Sequence, residues 1–102
     1  MKYYPNNWVV LKVGNFYKVL AGWSGGYAQG DSWRMNSGIS GVVEKDNYLE
    51  FIGESGSVYV CHKNSYGLRM NNAYIYSKLK EMYDDKVQML DEDTNWLTMV
   101  WK

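Results

Sequence analysis

One cysteine and one histidine in 102 residues remove several kinds of chemistry at once. Cys61 has no partner for an internal disulfide and no N-x-Ser/Thr acceptor occurs, so the expected setting is a reducing cytoplasm. His62 adjoins Cys61 in YVCHK. Neighbours on a strand point to opposite faces, which separates this pair as nucleophile and base or as joint metal ligands. Without a second His or Cys to complete a zinc site, neither metal nor cofactor is expected. Net charge is missing too: eleven basic and eleven acidic residues cancel, leaving no whole-chain field to gather nucleic acid or an anionic membrane. The N-terminal apolar run WVVLKV is broken by Lys12 and is too short for a signal or membrane-spanning segment.

What is present is aromatic. Apolar residues make up 46% of the chain, enough for one core, so residues 1–102 are expected to form a single domain. Ten Tyr and five Trp pair apolar bodies with polar tips, a composition suited to a shallow core and a contact surface. Charge is locally uneven. Residues 1–30 hold Lys2, Lys12 and Lys18 with no acid, while acids gather from Glu44 to Glu54 and from Glu81 to Asp93.

The clearest local pattern is WVVLKV-GN-FYKVLAGW, residues 8–23, two β-rich runs joined by Gly14-Asn15. A two-residue loop pairs Val13 with Phe16. Val9, Leu11, Val13, Phe16 and Leu20 then share one face, and Trp8, Val10, Tyr17, Val19 and Trp23 the other. Neither face is polar, so the hairpin is either covered on both sides or presents its Trp/Tyr face as a binding surface. A third strand is expected from about Trp33 to Val43, and a second hairpin over residues 47–63 turning through Glu54-Ser55-Gly56. Ile75, Tyr76, Leu79, Met82 and Tyr83 recur at helical intervals, predicting a helix over 72–84 capped by Asn71 or Asn72. The tail from Val87 reads as a last strand pair turning at Asp91 to Asn95. The expected fold class is α+β: a small curved antiparallel sheet of five to seven strands with one amphipathic helix packed on it.

Six of the ten glycines fall in LAGWSGGYAQGDSWRMNSGISG, residues 20–41. Gly22-Trp23-Ser24-Gly25-Gly26 matches the G-x-S-x-G nucleophile elbow, but that motif needs a helix directly after the Ser. Two glycines there, each costing about 1 kcal/mol, forbid a good one. No phosphate-binding loop or dinucleotide fingerprint occurs. As a binding element the stretch offers Trp23, Tyr27 and Trp33 to stack on a ring or a protein surface. Asp31 and Ser32 can bond hydroxyls or amides, and Arg34 can clamp an anion. The competing reading makes Trp33 a core residue and Asp31 a turn cap. His62 is the only histidine in the chain, and Lys63 beside it would help it hold an anion. Asp91-Glu92-Asp93 lacks the glycine and ligand spacing of a calcium loop and reads as a solvated turn.

In its compact, aromatic-rich make-up and its turns YGL, SGS and GWSGG, the chain resembles the small accessory proteins of tailed bacteriophages. The resemblance implies a protein of the host cytoplasm that inhibits a host enzyme or a bacterial defence system, by masking a protein or by sequestering a small signalling ligand. It assigns no residue. By elimination of catalytic sets, the residues themselves point to a non-enzymatic binding protein whose partner is a protein or a nucleotide-like ligand. A homodimer would use the same aromatics. The alternatives are a structural or assembly subunit forming a homo-oligomer, and a small hydrolase or nuclease built on His62, Asp31 and scattered acids.

Overall fold

A tight turn at Gly14-Asn15 sets the register of the longest ribbon in the molecule. Gly14 takes a φ of 61°, the left-handed sign that such a turn requires of its first central residue, and Val13 pairs with Phe16. The computed structural model describes residues 1–26 and 30–101. Within them the strands are β1 (Lys2–Tyr3), β2 (Asn7–Val13), β3 (Phe16–Gly26), β4 (Gly30–Met35), β5 (Ile39–Lys45), β6 (Tyr48–Gly53), β7 (Val58–His62) and β8 (Val87–Met89); the helix is α1 (Met70–Tyr83). They form two four-stranded sheets, in the orders β1-β7-β6-β5 and β4-β3-β2-β8. Only the short β1–β7 pair is parallel. The class is α+β with mostly antiparallel strands, as expected, but the strands divide between two sheets.

The two apolar faces of the β2–β3 ribbon explain that division. Trp8, Val10, Val19 and Ala21 face the other sheet and pack with Ile39, Leu49, Phe51, Tyr59, Cys61 and Trp96. Val9, Leu11 and Leu20 face the opposite way, with Val87, onto Leu68, Ile75, Tyr76 and Leu79 around α1. The ribbon is therefore the middle layer of three, covered on both sides. Each fully buried side chain of this size contributes about 1.5–3 kcal/mol, which makes this ribbon the centre of the core.

Three expectations change. The strand expected from Trp33 to Val43 is two strands in different sheets, because the chain leaves β3 at Asn36. There the buried Asn36 side chain accepts from Val19 N at 2.9 Å, and its own N–H donates to Val19 O. Both backbone polar groups of Val19 are satisfied while the chain crosses over. The expected final strand is a 3-10 turn, Trp96–Thr98. It drops Trp96 into the core with its ring centroid 5.8 Å from those of Trp8, Phe51 and Tyr66, a position strand alternation would deny it. Finally, Met82 and Tyr83 are exposed, so the packed face of α1 is limited to its middle turns.

The start of α1 is fixed by polar contacts. Arg69 occupies the cap position, and neither Asn71 nor Asn72 does. Instead the Asn72 Oδ1 accepts from Arg69 N at 2.9 Å and from Asn7 Nδ2, while Asn72 Nδ2 donates to Leu20 O. Asn71 donates to Asn7 Oδ1 at 2.6 Å and to Ser24 Oγ. All three asparagines are buried. A Cβ on Gly22 would overlap the Asn71 amide, so glycine there lets the helix approach β3. Asn72→Ala leaves buried donors and acceptors unpaired at β2, β3 and the helix start. It is expected to lower unfolding stability by about 2–4 kcal/mol in urea titration.

Candidate binding surface

The glycine-rich stretch forms strands up to the edge of the described region. Ser24 lies within β3, and the next described element is β4, not a helix, which removes the nucleophile elbow. Its backbone N–H donates to Asn6 Oδ1 and its hydroxyl accepts from Asn71. Between Trp23 and Gly26 the ladder slips: β3 advances from 23 to 26 while β4 advances from 32 to 30, an extra residue on β3. Tyr27 lies outside the described residues, and of Asp31 only its strand position is described.

Strand alternation splits the expected site in two. Trp23 pairs with Ser32 and Ala21 with Arg34, so these side chains share the face turned toward the other sheet. Trp33 pairs with Gly22 and lies on the helix side. On the first face the aromatic rings form a chain: Trp23 meets Tyr3 edge-on at 6.3 Å and Tyr3 lies against Tyr59 at 5.1 Å. The Arg34 guanidinium sits 4.6 Å above the Tyr3 ring, a cation–π geometry. Burial pushes the Tyr59 hydroxyl above its ordinary pKa, and the positive Arg34 beside it opposes that shift. Trp23 is half-buried with its indole N–H donated to Tyr4 O at 3.0 Å, which makes it a support rather than a free stacking surface.

Trp33 and Arg34 are outward residues. Trp33 keeps 40% of its surface exposed, and Arg34 has no carboxylate at ion-pair distance among the described residues. The core reading of Trp33 is therefore corrected. Tyr3, which orients Arg34, comes from the far N-terminus, and no spacing in the sequence links the two.

His62 and Lys63 do not join this group. Cys61 faces the core, so His62 lies on the opposite face of its own sheet, away from the sheet containing β4. Its Nδ1 accepts from Asn64 N at 3.1 Å, capping a 3-10 turn, and its ring meets Tyr48 edge-on. Lys63 pairs with Glu44 at 2.5 Å. That pair lines an open cleft of 260 Å³ with Leu49, Glu92 and residues 94–97. The expected His62–Lys63 anion site is corrected: the lysine already has Glu44 as its partner, and His62 caps a turn. His62 and Asp31 belong to different sheets. No described group of three His, Cys, Asp or Glu is placed to hold a metal, and no described helix is long and apolar enough to cross a membrane.

The sheets have four edges, and they differ. β1 spans two residues and β8 three, too short to accept a strand. β5 carries its own bulge between Ile39 and Gly41, which breaks a regular ladder. β4 spans six residues, pairs with β3 in regular register from Ser32 to Met35, and carries Trp33 and Arg34. Such an edge presents unpaired backbone N–H and C=O groups.

The support and surface roles separate in stability measurements. Trp23→Ala is expected to lower unfolding stability by about 2–3 kcal/mol, through lost packing and the lost bond to Tyr4. Trp33→Ala is expected to change it by less than about 1 kcal/mol. Equal losses in chemical denaturation would return Trp33 to the core. No protein-family model matches the sequence, and comparison with curated proteins and with solved structures finds no match.

Proposed function

We propose that this is a non-enzymatic binding protein that masks a surface of another protein through β4 and the side chains Trp33 and Arg34. One observation supports this above the others: the six-residue edge strand β4 carries an exposed indole and a guanidinium without a carboxylate partner among the described residues. Trp and Arg are the side chains most often responsible for binding energy at protein interfaces. An open edge also suits a protein segment better than a nucleotide-like ligand, which needs a concave pocket to bury most of its surface. Inhibition of a host enzyme or defence protein, of the kind small phage accessory proteins perform, fits this mode of action. It requires no catalytic group of the inhibitor's own.

Native mass spectrometry of the tagged protein, purified from the cells in which it acts, tests the reading. The expected result is a stoichiometric protein partner, retained by His62→Ala. The partner is lost from the Trp33→Ala/Arg34→Ala double variant by about thirtyfold or more, equivalent to some 2 kcal/mol. Equal retention by wild type and double variant would contradict it, as would a co-purifying nucleotide in place of a protein.

A further inference from the structure

We propose that the partner docks as an added strand beside β4, through an extended segment that alternates acidic and apolar residues. This inference rests on the binding reading above and names the chemistry of the segment. β4 is the outermost strand of its sheet, so a fifth strand continues the existing ladder and gains main-chain hydrogen bonds independent of sequence. Side-chain selection follows from alternation. Successive residues of an added strand fall on opposite faces of the sheet, next to Arg34 on one face and Trp33 on the other.

Charge selects the acidic partner. Strands β2, β3, β4 and β8 carry Lys12, Lys18 and Arg34 against a single acid, Asp31. Arg34 has no carboxylate at ion-pair distance among the described residues. Arg34 is held in place by the Tyr3 ring at 4.6 Å, which orients its donors before a carboxylate arrives. On the other face the apolar demand is wider than Trp33 alone. The first turn of α1 lies over β3, fixed there by Asn71 against Gly22 and Asn72 on Leu20 O, and its first residue, Met70, is 86% exposed. Tyr74, one turn further along, is also exposed.

A second copy of the chain fits this edge less well. Pairing β4 with its own two-fold mate about Trp33 sets Trp33 opposite Trp33, and any such pairing brings a second Arg34 to the same face. Like charges are gathered where an acid is wanted.

The probes are capped eight-residue peptides: alternating valine and glutamate, alternating valine and lysine, and the first peptide N-methylated on alternate amides. Titration into isotope-labelled protein follows the backbone amides and the Trp33 indole by NMR. The valine–glutamate peptide is expected to shift the amides of Ser32 to Met35 and the Trp33 indole. It should bind about tenfold or more tighter than the lysine peptide, a difference of some 1.4 kcal/mol. Arg34→Ala should erase that preference, and N-methylation on the paired edge should abolish binding. Equal affinity of the acidic and basic peptides would overturn the proposal, as would shifts confined to other strands. So would a dimer in sedimentation that protects the β4 amides, which assigns the edge to a second copy. If the peptides fail while the double variant still releases the cellular partner, strand addition is wrong and the masking surface stands. If the double variant also retains the partner, both readings fall.

Discussion

Burial of the β2–β3 ribbon on both faces is the constraint from which the rest of the structure follows. An antiparallel ribbon usually offers one face to a core and the other to water. Here Trp8, Val10, Val19 and Ala21 demand one cover while Val9, Leu11 and Leu20 demand another. The second sheet meets the first demand and α1 meets the second. A chain of this size has material for little else, which is why β1 and β8 are short and the last segment is a turn that inserts one Trp. Tyr66 ties the layers together at one end. Its hydroxyl accepts from Val10 N and donates to Leu90 O, and burial pushes its pKa up to about 12.

The helix does more than cover. Its first turn is seated by Asn7, Asn71 and Asn72 over a glycine that leaves room for an amide. That seating fixes the helix start above β3, leaves Met70 outside the core, and so sets what surrounds the outer side of the sheet. Buried polar networks of this kind specify a single arrangement when nearly all members are paired. The position of a prospective binding surface thus depends on three asparagines that themselves touch no partner.

Much of the fold was legible in the sequence because local rules dominate there. A two-residue loop has one register, so the two-faced ribbon and its residue sets follow from Gly14-Asn15. The second hairpin and the helix carry equally local patterns. The crossing at Asn36 did not show, since a side chain mimicking a backbone partner leaves no periodic trace. The site was legible in part. Trp23, Ser32, Trp33 and Arg34 stand close together in the sequence, but their division between two faces depends on strand pairing and on a bulge. Tyr3 carries no such local signal, because its link to Arg34 joins distant parts of the chain. His62 is the sole histidine, yet its hydrogen bond is a turn cap.

The β2–β3 ribbon is the structural middle layer, and β4 is the outermost strand of its sheet. Native-state hydrogen exchange of the free protein, followed amide by amide, tests both halves together. The account predicts that amides of Val9 to Leu11 and Val19 to Ala21 exchange only through global unfolding, while the outward-facing amides of Ser32 to Met35 exchange orders of magnitude faster. Uniform protection of β4 would contradict it by showing that the edge is already covered. Fast exchange in β2 would contradict it by removing the ribbon from the centre of the fold.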